Sequence, residues 1–139
     1  MILLIYGADS YQINQRLREI KADYPDDNLN VIELADDTSW QTIEQEINSL
    51  PFLANKKLII INGLSKTKDT KTQRSLDHVL DSVTDSVDLI FIESEMKPQN
   101  WLLKLIQNKG KSEVKTALKP YQVTAWINKK ASEKSHLIQ

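Results

Sequence analysis

Residues 1–11 read MILLIYGADSY, and this stretch decides the fold class. Met1–Tyr6 is an unbroken apolar run closed by Gly7, as expected of a strand buried on both faces. Asp9 or Ser10 then offers a side-chain acceptor to the free N–H groups of a helix start. Ile13, Leu17, Ile20 and Tyr24 follow at i, i+4, i+7 and i+11, one apolar stripe along that helix. Pro25, Asp26, Asp27 and Asn28 break it. A strand that runs into a helix through a tight turn is the opening unit of a parallel α/β sheet.

The unit repeats outward from there. Leu29–Leu34 reads as a second strand. Thr38 and Gln41 have capping-box spacing, ahead of a helix whose stripe is Trp40, Ile43, Ile47 and Leu50. Pro51–Asn55 ends that helix, and Lys57–Ile61 is a third, strongly apolar strand. Ser65–Thr72 is polar and lysine-rich and reads as a loop. Leu76, Val79, Leu80 and Val83 mark a third helix, and Val87–Ile92 a fourth strand. Pro98 suits the first turn of a fourth helix. Trp101, Leu102, Leu105 and Ile106 are its buried face, and Gly110 its C′ residue. Ser112–Leu118 is a short fifth strand. Pro120 opens a last helix with Val123, Trp126, Ile127 and Ala131 on one side. The pattern predicts a largely parallel five-stranded sheet with flanking helices and the first strand internal.

Composition narrows the function. At 139 residues the chain is one domain with room for a fragment of a second, and it has no cysteine for a disulfide or thiolate site. Its longest apolar runs, Ile2–Ile5 and Leu58–Ile61, fall far short of the roughly 20 residues that span a bilayer. The start lacks a basic n-region and turns polar at Asp9, which argues against a signal peptide and for the cytoplasm. Residues 1–93 carry 9 basic and 16 acidic side chains, and residues 94–139 carry 9 basic and 3 acidic. The acidic part disfavours nucleic acid. The lysine-rich tail is either a solvated helical face or a surface that permits such contact. The chain stops at Gln139 without a helix C-cap, as a piece of a longer protein would.

The first strand-to-helix turn is where such sheets bind phosphates. Gly7-Ala8-Asp9-Ser10-Tyr11 has one glycine, no lysine and an aspartate that would repel the anion, so a Walker A loop is excluded. Asn62 stands where a Walker B strand would end in a carboxylate for magnesium. Acids at strand ends, namely Asp9, Asp36, Asp37, Glu93 and Glu95, leave a magnesium-dependent nuclease or phosphotransferase as the enzymatic alternative. Helix capping accounts for Asp9 and surface loops for the others. His78 and His136 follow no ligand spacing. No cofactor is expected. Leu50-Pro51-Phe52-Leu53 puts large apolar residues in a loop just before a strand. They either cap the core or form an exposed wedge for a partner's pocket.

Four stretches together resemble the delta subunit of the bacterial DNA polymerase III clamp loader: residues 5–11, 50–61, 88–93 and 118–127. The most specific are the Gly7-Ala8-Asp9-Ser10-Tyr11 turn and Phe52-Leu53-Ala54-Asn55-Lys56-Lys57 at the entry to the third strand. The resemblance implies an AAA+-like domain over residues 1–118 that has lost its nucleotide site. Residues 119–139 would be the first helix of a helical lid, and a collar domain would lie outside this sequence. It implies a non-catalytic subunit of a DNA-replication machine. Leu50, Phe52 and Leu53 would bind the sliding clamp and help open it, and other clamp-loader subunits, and DNA in the full complex, would be partners. The family's common order is leucine then phenylalanine; this chain has the reverse, after Pro51.

Overall fold

The computed structural model describes residues 1–24, 30–49 and 56–116. Along them run β1 (Ile2–Tyr6), α1 (Ser10–Lys21), β2 (Val31–Leu34), α2 (Trp40–Asn48) and β3 (Lys57–Asn62). A short 3-10 turn, Leu64–Lys66, leads to α3 (Thr70–Asp81), β4 (Val87–Ile92), α4 (Trp101–Lys109) and β5 (Lys111–Val114). The strands form one sheet in the order β2-β3-β4-β1-β5, and every pairing is parallel. The expected internal first strand is there: Leu4 pairs with Phe91 of β4 on one side and Ser112 of β5 on the other.

The apolar strands serve two cores because alternate side chains point to opposite faces. Leu3, Ile5, Leu58, Ile60 and Ile90 face α1, which meets them with Ile13, Leu17 and Ile20. Leu4, Ile59, Ile61, Leu89 and Phe91 face the other way, onto Ile43 and Ile47 of α2, Leu76 and Leu80 of α3 and Leu102 and Ile106 of α4. Burying each of these aliphatic side chains contributes roughly 1.5–3 kcal/mol relative to exposing it. Indole N–H groups are satisfied where the helices meet. Trp40 donates to Ser75 Oγ at 3.0 Å, and Trp101 to the Ser65 carbonyl at 3.2 Å.

Several expected boundaries shift, each for a local reason. Ser39, not Thr38, caps α2, accepting from Thr42 N–H. The expected loop over Ser65–Thr72 ends early, because Asp69 caps α3 through Lys71 N–H and the Thr72 hydroxyl. Thr72 is buried and begins the stripe that continues through Leu76, Val79 and Leu80. Pro98 lies in the turn ahead of α4, which closes with Asn100 N–H on Lys97 carbonyl. Asn100 is the cap that starts the helix at Trp101. Gly110 is not in the left-handed conformation expected of a C′ glycine; its φ is −159°. It is needed for space, since a Cβ there would lie 2.4 Å from the Ile2 carbonyl oxygen. Strand β5 starts one residue early and stops at Val114. The expected last helix, Lys119–His136, lies outside the described residues.

Candidate functional site

In an open parallel sheet the strands deliver their C-terminal ends to one edge, and ligands sit in the crevice where the connections diverge. Here that edge opens as a cleft of about 960 Å³, with Gly7, Ser10, Asn62, Lys66 and Glu93 among its walls.

The β1–α1 turn is sewn to its neighbours through the groups an anion would need. Gly7 N–H donates to the Ser94 carbonyl at 3.2 Å, and Asp9 N–H to the Lys115 carbonyl at 3.0 Å. Lys115 N–H returns a bond to the Tyr6 carbonyl at 2.7 Å. Gly7 has φ +138°, and a Cβ on it would meet the Lys115 carbonyl oxygen at 2.1 Å. Only glycine fits so close an approach.

Asp9 finishes the closure. Its carboxylate accepts from Gln12 Nε2 at 2.8 Å and from Gln12 backbone N–H at 3.1 Å. These bonds, the side-chain one first, hold its pKa below the usual carboxylate value. The N-terminus of α1, where a helix would present N–H donors and its dipole to a phosphate, therefore holds a fixed negative charge of its own.

Asn62 and Glu93 at the ends of β3 and β4 are also engaged. Asn62 donates its amide to the Leu34 carbonyl at 3.0 Å, tying β3 to β2. Glu93 was expected on a surface loop but is only 5% exposed. It accepts from Ser65 backbone N–H at 3.1 Å and from the Ser65 hydroxyl. Burial raises its pKa, outweighing the Ser65 bonds that act the other way. It is buried because the 3-10 turn after β3 folds over the end of β4, a packing event with no signature in local sequence. Asp36 lies 3.6 Å from Lys66, both exposed. Asp37, Glu95 and His78 are exposed as well, and His136 lies outside the described residues. Among the described residues no three histidine, aspartate or glutamate side chains stand together as a metal site. Nothing in this geometry favours the nuclease or phosphotransferase alternative.

The candidate wedge residues Leu50, Phe52 and Leu53 lie outside the described residues, but both flanks of their segment are placed. Helix α2 gives way at Ser49, and β3 begins at Lys57 with its N–H on the Ser86 carbonyl at 2.8 Å.

A protein-family model described as DNA polymerase III, delta subunit, matches residues 3–117. The chain belongs to that family. No curated protein matches it by sequence. Among solved structures, the Bacillus subtilis DNA clamp loader delta protein superposes with a TM-score of 0.74 at 14% identity. That match covers 90% of this chain and 41% of the other. A DNA polymerase III gamma subunit-related protein from Thermotoga maritima gives 0.64 at 18% identity, covering 87% and 43%. The chain thus spans less than half the length of either structure. At such identities the likeness is one of fold, an α/β fold built on a parallel sheet.

Lys57, read from the sequence as the first residue of the third strand, has a buried side chain that the pattern did not foretell. It is 4% exposed. Its ammonium donates to the Glu46 carbonyl at 2.9 Å, to Glu46 Oε2 at 3.1 Å and to Ser49 Oγ. The one signal available was a lysine directly ahead of four apolar strand residues.

Proposed function

We propose that this chain is the clamp-gripping part of a delta subunit, a non-catalytic module that binds the sliding clamp and helps open it during DNA replication. Membership of the family carries the reading. The β1–α1 turn supports the non-catalytic half of it, since the Gly7 and Asp9 N–H groups are spent within the fold and the helix end is capped by the Asp9 carboxylate. The energy for loading then comes from motor subunits, and this chain works by buried apolar contact. Residues 1–118 form the AAA+-like domain, and residues 119–139 begin the lid. No helix among the described residues is long and apolar enough to cross a membrane, which accords with work in the cytoplasm.

Leu50, Phe52 and Leu53 are the proposed grip. Two large apolar anchors at the centre of an interface contribute about 3–5 kcal/mol before association costs. Changing Phe52 and Leu53 together to alanine should weaken binding to the cognate clamp by about 3 kcal/mol, while shifting folding stability by less than ~0.5 kcal/mol. Calorimetric titration with the clamp, beside thermal melting, reads both quantities. A well-folded double variant that binds at wild-type strength would end the assignment. Titration with Mg-ATP tests the other half, and a Kd below about 10 μM would refute it.

A further inference from the structure

Asp88 is, with Glu93, one of two buried carboxylates among the described residues, and the cleft makes no use of it. It is the second residue of β4 and lies toward the opposite edge of the sheet. Its side chain shares a strand face with Ile90, part of the core under α1. A carboxylate on such a face loses hydration and needs partners to offset the loss. Met1 and Tyr24 supply them. The Met1 α-ammonium donates to Asp88 Oδ1 at 3.0 Å, and the Tyr24 hydroxyl donates to Oδ2. Burial, then the bond to Asp88, raises the Tyr24 pKa, so that hydroxyl remains a donor.

The backbone of Met1 is bonded on both sides of that ion pair. Its ammonium also donates to the Val87 carbonyl at 3.3 Å, and its own carbonyl accepts from Leu89 N–H at 2.8 Å. These bonds set Ile2 opposite Leu89, the first step of the β1–β4 register. The apolar run does not set it alone. Ile2–Ile5 is apolar on both faces, so a one-residue slip would exchange one apolar set for another, a weaker penalty than in an alternating strand. We propose that Asp88 is a receptor for a free α-ammonium on Met1, and that β1 docks fully only when that nitrogen carries no acyl group or further residue. A formyl or acetyl group turns the ammonium into a neutral amide and leaves the buried Asp88 charge without its cation. Removing such a group is a hydrolysis: water adds, the amide C–N bond breaks, and a carboxylate and the free ammonium result. Met1 is 48% exposed, so water screens the pair on one side and holds the effect to a modest size.

The test compares the full chain acetylated enzymatically at Met1, verified by mass spectrometry, with the unmodified chain. Acetylation should lower the melting temperature by about 4 °C. Exchange of the Leu89 amide with solvent, read by NMR, should quicken several-fold, while amides in β3 keep their rates. The effect has to run through Asp88. Asp88→Asn keeps the volume and removes the charge, so acetylation on that background should change little. A Gly-Ser extension ahead of Met1 should act as acetylation does, and its Leu89 exchange rate decides the matter if Asp88→Asn does not fold. Unchanged melting and Leu89 exchange in the acetylated chain would overturn the proposal, as would an equal loss in both backgrounds. An extended chain that keeps the unmodified Leu89 rate would overturn it too.

Discussion

The β1–α1 and α2–β3 junctions both solve the problem of a helix end, and they solve it with opposite reach. At the first, Asp9 satisfies the N-terminus of α1 from within, through Gln12 three residues on. At the second, the Glu46 carbonyl accepts one local bond from the Ser49 hydroxyl at 3.0 Å, and Lys57 adds further ones from the next strand, eight and eleven residues beyond its acceptors Ser49 and Glu46. The local solution closes: the turn is bonded to the exits of β4 and β5, and the place where a phosphate would rest holds a carboxylate. The distant solution bridges, leaving a segment between the two groups that it joins. A turn can be closed by short-range capping, whereas joining a helix end to a later strand takes a long side chain that reaches across.

The contrast breaks most sharply at Gly7. Gly7→Ala should destabilise the fold by about 3 kcal/mol or more, because the residue combines a positive φ with a Cβ position 2.1 Å from a backbone oxygen. Chemical denaturation measures it. A loss under about 1 kcal/mol would mean that the turn can move off β5 and is not closed.

Lys57→Met comes next, at about 2 kcal/mol of stability. The loss is held below that of a fully buried pair because the Glu46 side chain is 34% exposed and can rehydrate. Equality with wild type in urea unfolding would show that the bridge adds nothing to the fold. Asp9→Ala should cost about 1 kcal/mol, the usual value of an N-cap. A loss above 2 kcal/mol would make Asp9 more than a cap.

How far each junction was legible follows from the same difference in reach. Asp9 sits at the start of an apolar stripe, so its role as cap could be read directly, as could the internal β1 from six apolar residues in a row. The departure of Gly7–Tyr11 and Asn62 from the residue types of a nucleotide site was legible because it is a matter of local sequence at short spacing. Lys57 and Glu93 were not. Each is a charged residue at a strand end, ordinarily a solvated position, and each is buried by an element whose arrival depends on tertiary packing. The start of α3 was missed for a related reason, since Thr72 counts as polar in a pattern yet is buried in the structure. Leu50, Phe52 and Leu53 remain a reading from sequence and family resemblance.

The smallest expected effect concerns Glu93, and pH gives it a sign. Its folded pKa is raised because burial disfavours the charged carboxylate more than Ser65 favours it. At low pH the group is protonated in both folded and unfolded chains and contributes nothing against folding. As pH rises past the ordinary value of 4.5, the unfolded chain ionises first, while the folded one resists. Stability therefore falls through the window between that value and the raised folded one, then levels off. Asp9 has the opposite sign: its lowered pKa gives stability that is present above the ordinary carboxylate range and lost as pH falls through the folded value. So does Glu113, where burial pushes up but the Arg16 guanidinium at 3.0 Å pulls the net value down. Glu93→Gln isolates the first effect. Its carbonyl can still accept from Ser65 N–H and its amide can donate to the Ser65 hydroxyl, so the packing stays. The variant should gain on wild type as pH rises from about 4.5 to 7, by less than the loss at Asp9, with urea midpoints at a series of pH values as the measurement. Parallel curves for the two proteins would show that Glu93 is as well solvated in the folded chain as in the unfolded one, and that the end of β4 is open to water.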